Sequence, residues 1–284
     1  MSNMLESQFH PIKENINSFH KYSKENWDDK TFPYHRHDAY EVFLFVRGKT
    51  RNDVGPASYH LNPGDMIIIN PNELHRVVCT SSEIYERVCV NIRRGVFDAL
   101  SSDKTSLREC FEANTLGERR IVNLSNEQVN QVVKLIHSRK FYLASKEYGS
   151  DLMAESYLLQ LLVFINIAYK GSSYTPPNVM SELIRDTMLY IKEHLDESLS
   201  IEQLSKHFYL SGTFISREFK KQTGLTLGAY ILGEKIAHSK NLLMEGKNVS
   251  EACYLSGFCD YANYIRSFTK AVGISPGQYK KVMS

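Results

Sequence analysis

An arginine side chain can donate two hydrogen bonds to O6 and N7 of one guanine, and a serine or threonine hydroxyl can bond several bases. This sequence offers that chemistry twice. Arg217-Glu218-Phe219-Lys220 with Gly224 recurs forty-nine residues later as Arg266-Ser267-Phe268-Thr269 with Gly273. One exposed arginine is ordinarily a solvated surface charge, whereas two at matched positions of a repeat point to a pair of DNA readers. The reading faces carry Thr213, Ser216, Arg217 and Lys220 in the first copy and Ala262, Ile265, Arg266 and Thr269 in the second. Ile265 is apolar where a solvated residue would be expected, which suits contact with a thymine methyl group.

The elements that must present these side chains are legible around them. Ser200-Ile201-Glu202-Gln203 and Asn248-Val249-Ser250-Glu251 each read as a capping box that opens a helix. Short turns follow at Tyr209-Leu210 and Gly257-Phe258, and Ser211 and Asp260 are N-cap types for a second helix in each copy. Ile215 with Phe219, and Tyr264 with Phe268, form i, i+4 apolar pairs that face a core and leave the opposite side free. Residues 226–245 contain no proline and read as one stiff helix. Its length, roughly 30 Å at 1.5 Å per residue, is close to the ~34 Å between successive major-groove faces on one side of a duplex. Charge divides in the same way. From Lys206 onward there are eleven Lys and Arg against five Asp and Glu, a net +6, while residues 1–205 are net −4. The phosphate-attracting field therefore belongs to the C-terminal part.

These residues resemble the AraC/XylS family of bacterial transcription regulators. The resemblance rests on Leu204, on the 211–221 helix continuing through Gln222-Thr223-Gly224, on Gly257-Phe258, Asp260, Phe268 and Gly273, and on Ile274-Ser275-Pro276 with Tyr279. It implies a seven-helix DNA-binding domain acting on double-stranded promoter DNA, with RNA polymerase as a partner and activation as the mode. By position, Thr213, Ser216 and Arg217 match base-contacting sites of the first recognition helix, and Tyr261, Ala262, Ile265 and Arg266 those of the second. Three departures stand out: Gly212 weakens the start of its helix, Glu218 brings a negative charge near the DNA side, and Ile265 replaces a position that is often polar.

The N-terminal part alternates short strands with turn residues, over 40–46, 57–61 and 66–69, which predicts an antiparallel barrel or sandwich. Glu41, Phe43 and Phe45 fall on one face of the first strand and Val42, Leu44 and Val46 on the other, so both faces are covered. A barrel of this kind can enclose a ligand. Even spacing aims His35, His37 and Glu41 to one side of a regular strand. Together with His75, the spacing resembles the two cupin motifs, which implies three histidines and a glutamate converging inside a jelly roll. They would either hold a divalent metal or, as is common in AraC-type regulators, form a metal-free effector pocket. The second motif departs from the pattern at Asn70, Asn72 and Cys79, and the first at Asp29. A carbohydrate, expected from family analogy, would use His35, His37, Glu41 and His75 as hydrogen-bonding groups beside Phe43 and Phe45. An anionic effector would favour Arg36 or Arg47, with Tyr40 a further candidate.

The fold class expected from these pieces is α+β: a cupin-like jelly-roll barrel with a helical arm, then an all-α domain of two helix-turn-helix motifs joined by a long helix. The 284 residues divide as 1–170 for effector binding and dimerisation, 171–180 as linker and 181–284 for DNA binding. Residues 126–140 and 150–170 read as arm helices. The second is apolar around much of its circumference, enough to cover the barrel and also meet a second subunit in a homodimer; complete burial within its own domain is the alternative. The apolar stretch 158–169 is too short to cross a bilayer, and the first residues lack the basic-then-apolar pattern of a signal peptide. No membrane partner and a cytoplasmic location are therefore expected. Five cysteines without a CxxC pair suit reduced, buried thiols. No catalytic residue is assigned. A metal-dependent cupin enzyme fused to a DNA-binding module, and an architectural DNA-binding protein without an effector, are the competing readings.

Overall fold

The computed structural model describes residues 15–23, 33–79, 84–113, 121–172, 178–179, 181–196 and 199–283. Asp29, the first residues of the chain and linker residues 173–177 lie outside these.

The N-terminal half is built of two antiparallel sheets. One is ordered β1 (Ile16–Ser23), β7 (Tyr85–Ile92), β2 (Tyr40–Arg47), β5 (Asp65–Ile69), β8 (Ile121–Asn123). The other is ordered β6 (His75–Cys79), β3 (Thr50–Val54), β4 (Ala57–Leu61), β9 (Asn178–Val179). The short β9, within the segment expected to be linker, pairs Val179 with Ala57 on the barrel edge. Strand β2 is central, flanked by β5 and β7, and the alternation read from its sequence sorts its two faces. Phe43 and Phe45 point into the barrel with Tyr59, Ile67, Ile69 and Tyr85. Val42 and Leu44 point outward with Met66, Ile68, Val88 and Val90.

Helices cover that outer face: α1 (Arg94–Leu100), α2 (Glu109–Glu112), α3 (Asn126–Ala144) and α4 (Ser150–Gly171). Helix α4 follows the expected 150–170 to within one residue, and as a whole, unlike the 158–169 stretch alone, it is long and apolar enough to cross a membrane. Its Leu158, Leu161, Leu162 and Ile165 are instead buried against the sheet. Each contributes about 1.5–3 kcal/mol of burial. Leu152, Leu159 and Ile167, on its other side, are exposed.

Seven helices make the C-terminal domain: α5 (Glu182–Glu193), α6 (Ile201–Phe208), α7 (Gly212–Thr223), α8 (Leu227–Met244), α9 (Val249–Leu255), α10 (Tyr261–Val272) and α11 (Pro276–Met283). The capping boxes at Ser200 and Asn248 are both formed, and Ser211 and Asp260 cap α7 and α10. Helix α8 serves two cores. Its first half (Leu227, Tyr230, Ile231) packs with α5, α6 and α7, and its second half (Ile236, Leu242, Leu243) with α9, α10 and α11.

Gly212, an oddity for a helix start, has a packing reason. A Cβ there would press on Ile201 Cγ2, so any larger residue makes the Ile201 side chain shift where α6 and α7 meet. Gly257 is constrained twice, by φ +77° and by a would-be Cβ 1.7 Å from the Leu195 carbonyl oxygen. The cysteines are free, but Cys259 is exposed and Cys79 half-buried, so the expectation of uniformly buried thiols fails for these two.

Candidate DNA interface and effector site

The two reader helices follow from their buried sides. Ile215 and Phe219 of α7, and Tyr264 and Phe268 of α10, are fully buried, which turns the opposite faces outward. Thr213, Arg217 and Lys220 are exposed on α7, and Tyr261, Ala262 and Arg266 on α10. Three residues of the expected faces sit differently, Thr269 being half-buried. Ser216 is half-buried, with its hydroxyl enclosed and unpartnered among the described residues. Ile265 packs partly against the second core, because Leu242, Leu243 and Phe268 leave room for an apolar side chain at that edge. Glu218 lies 3.6 Å from Arg217, whose guanidinium also stands 5.5 Å from the Phe214 ring. The first reading arginine is thus held by its own helix, a contact that the sequence shows only as an acidic neighbour.

Inside the barrel mouth, the four residues of the cupin pattern converge. His37 Nε2 lies 2.9 Å and His75 Nε2 3.7 Å from Glu41 Oε2. The His35 and His75 rings are 4.3 Å apart, and their backbones exchange two hydrogen bonds of 2.9 Å. His37, Glu41 and His75 are buried and His35 half-buried. Phe43 lies two residues beyond Glu41 on the same inner face, buried at 3% exposure. Asn72, with φ 64°, makes the turn that returns the chain to His75, so the altered motif keeps its shape. Of the further candidates, Tyr40 lies edge-on to Phe97 and Phe111 outside the barrel, and Arg47 is exposed. Arg36 points away from the barrel interior and is buried under the C-terminal domain.

The histidine tautomers are set by the backbone. Nδ1 of His35, His37 and His75 lies 3.1, 3.1 and 2.9 Å from the carbonyl oxygens of Pro33, Ala39 and Glu73. Each Nδ1 therefore carries a proton and each Nε2 is left to the interior. One candidate ligand atom from each of the three histidines can be chosen so that all lie within 4.8 Å of one another. His37 Nε2 faces Glu41 favourably only with a second proton or a shared cation, and His75 Nε2 is buried without a hydrogen-bond partner among the described residues. This donor set fits a divalent transition metal. Burial pushes the Glu41 carboxyl up, but the His37 hydrogen bond and the positive fields of His75 and His35 outweigh it and hold the group down at about 2. Burial pulls His75 down to about 4, with Glu41 opposing.

Sequence reasoning missed the polar lining deeper in the barrel. Asn91 stands opposite Glu41 in the sheet register, and Asn52 opposite Tyr59 and Val77. Both Asn52 amide atoms, Asn91 Oδ1 and Tyr85 Oη are buried without hydrogen-bond partners among the described residues. Leaving such groups unpaired costs about 1–3 kcal/mol each. Strand Thr50-Arg51-Asn52-Asp53-Val54 shows no apolar alternation that would reveal which of its polar residues face inward.

Two family models match this chain. One, described as an AraC-like ligand binding domain, matches residues 21–162, and another, described as a helix-turn-helix domain, matches residues 204–281. An HTH-type transcriptional activator RhaR of Escherichia coli is 21% identical over 92% of this chain and 91% of its own length. A probable transcriptional regulator LumQ of Photobacterium leiognathi is 23% identical over 89% and 93%. Among solved structures, an apo form of ToxT from Vibrio cholerae covers 97% of this chain and 100% of its own at 11% identity, with a TM-score of 0.40.

Proposed function

The chain belongs to the AraC family of helix-turn-helix transcription regulators, whose ligand-binding-domain model covers half of it, and from that premise we propose how it works. It binds promoter DNA through α7 and α10, with Arg217 and Arg266 as the principal base readers. Thr213, Ser216, Lys220, Tyr261 and Ala262 line the same two faces, and Ile265 contributes an apolar edge. The observation that carries this reading is the pair of exposed arginines on matched helices, joined through an eighteen-residue helix of about 27 Å. Systematic selection of DNA sites with the full chain tests it: a site with two conserved elements about one helical turn apart is expected. Selection of no preferred sequence would reject it.

The barrel takes a small polar effector. Support comes from the convergence of His35, His37, Glu41 and His75 with Phe43, and from the Asn52 amide, Tyr85 Oη and Asn91 Oδ1, buried in the barrel without hydrogen-bond partners among the described residues. Hydroxyl groups both donate and accept, so a sugar-like compound matches this mixed lining. Stabilisation by one compound of a sugar and small-acid panel, by ~3 kcal/mol at a hundredfold excess over Kd, is the expected signature. The relatives are transcription regulators, and the chain is read in the same way, as a cytoplasmic activator that contacts RNA polymerase and performs no catalysis. The exposed Leu152, Leu159 and Ile167 of α4 and Phe141 of α3 suit a second copy of the chain, giving a homodimer.

A metal-bound barrel is the second reading, favoured by the clustering of three histidines whose His37 and His75 Nε2 atoms face the Glu41 carboxylate. His35, His37, His75 and Glu41 would hold the ion, which would supply Lewis acidity toward a bound ligand. Metal analysis of untagged protein separates the two: stoichiometric Mn, Fe, Ni or Zn supports the metal site, and its absence with retained effector binding leaves the metal-free pocket.

A further inference from the structure

The segment from Tyr34 to Ala39 has two opposed faces. His35 and His37 turn toward Glu41 and His75 in the barrel mouth. Arg36 and Asp38, the residues between and beside them, turn the other way and end on helix α8. Arg36 is 0% exposed; its guanidinium donates to Glu234 Oε1 at 3.0 Å and to the Gly233 carbonyl at 3.1 Å. Asp38 forms an ion pair with Lys240, itself 1% exposed and 5.4 Å from the Tyr279 ring. Glu234 and Lys240 are six residues apart on the helix that belongs to both reader cores, and both are buried.

Flanking contacts extend the grip. Asn72, in the turn that positions His75, donates to Asn241 at 3.1 Å. Arg76, the residue after His75, donates to the Gln222 carbonyl at the end of reader helix α7 at 3.3 Å. Both cupin-motif segments therefore carry histidines on one side and contacts to the DNA-binding domain on the other.

We propose that the 34–39 segment is a two-faced coupling segment, in which Arg36–Glu234 and Asp38–Lys240 act as a largely buried latch that transmits the state of the histidine cluster to helix α8 and so sets the spacing of the two readers. The proposal rests on the reading that the barrel controls DNA binding, and it names the residues that carry the control. Buried ion pairs suit this role better than apolar contacts. A shift of an ångström leaves a charge uncompensated in a low-dielectric site, so the two arrangements of the interface differ sharply in energy. Arg36, Asp38, Glu234 and Lys240 are accordingly positioning residues for DNA reading.

A mutant cycle on the full chain tests this, with affinity measured by fluorescence anisotropy on a DNA site selected with the wild-type protein. The His37→Ala change perturbs the sensing face. Its effect is compared in the wild-type background and in R36M/D38L/E234M/K240M, where apolar residues replace both pairs, an exchange that buried ion pairs often tolerate. The latch predicts that H37A changes affinity at least ~5-fold in the first background and less than about 2-fold in the second. A second background, D38N/E234Q, keeps the side-chain shapes and should give the same loss of coupling if the quadruple variant folds poorly. Equal effects of H37A in all backgrounds, or none in the wild type, would overturn the latch while leaving the DNA-binding assignment intact. Absence of any sequence-dependent binding by the wild type would remove both.

Discussion

The two helix-turn-helix copies share their caps, their buried i, i+4 apolar pairs and their turn glycines, yet the barrel holds them differently. Tyr34 and Leu74 of the barrel are part of the first copy's apolar core, and Arg76 binds the last turn of its reader helix. The second core contains no barrel residue among those described and meets the barrel through polar contacts, Asp38 with Lys240 and Asn72 with Asn241. The reading arginines differ in the same sense. Both are exposed, but Arg217 is engaged by Glu218 and Phe214, whereas Arg266 has no such partner among the described residues. A repeated motif has thus been placed in two mechanical settings: one copy shares its apolar core with the barrel and the other meets the barrel through polar contacts. Sequence repetition reports the shared chemistry and conceals this asymmetry.

The largest effect expected on that contrast comes from Glu234→Ala, which removes the carboxylate that faces the fully buried Arg36 guanidinium. It should destabilise the folded chain by about 3–5 kcal/mol, read as a lowered denaturant midpoint. A loss below about 1 kcal/mol would mean that the barrel does not depend on this junction. Next comes acid sensitivity of the barrel end. His75 has a folded value near 4 against an ordinary value of 6.5, so the unfolded chain binds the extra proton first. Stability attached to His75 is complete above pH 6.5 and is lost as pH falls toward 4, by up to ~3 kcal/mol. Thermal melts across that window should show the decline, and His75→Gln should flatten it; an unchanged slope in the variant would assign the sensitivity elsewhere.

On DNA, Arg266→Ala should weaken binding to the selected site by about 1–3 kcal/mol and relax preference at one base position. Arg217→Ala should have a smaller net effect, because that side chain must first leave Glu218 and Phe214. Glu218→Gln should then tighten binding severalfold through the first copy alone. If the two arginines contribute equally and Glu218→Gln changes nothing, the asymmetry does not extend to reading. The smallest effect concerns thiols. Cys259 is exposed beside α10 while Cys253 is buried, and burial raises the Cys253 thiol. A thiol reagent should modify Cys259 first, and bound DNA should slow that reaction.

The C-terminal domain was almost entirely legible in the sequence. Caps, turn residues and i, i+4 apolar pairs are local signals, and each fixes a helix without reference to the rest of the chain. Even Gly212, which reads as a defect, becomes intelligible once Ile201 is seen to occupy the space of its missing side chain. The barrel was legible in its central strand, where Phe43 and Val42 sort to opposite faces. Strand β3 was not, since Asn52 faces inward and Arg51 is tied to Asp53 along the same strand, which inverts the usual apolar-in alternation. Ile265 was placed in the open because its local pattern cannot show how close the second core comes to it. Arg36 and Asp38 were least legible of all. Their parity points them away from the barrel interior, but their partners lie about two hundred residues away on α8, and no local period encodes such a meeting.

Hydroxyl-radical footprinting of the full chain on its selected DNA site tests the central claim most directly. Two tandem readers on one helical spacer predict two protected patches on the same side of the duplex, about 10–10.5 base pairs apart, with R217A erasing one and R266A the other. A single protected patch, or loss of the same patch in both variants, would contradict it.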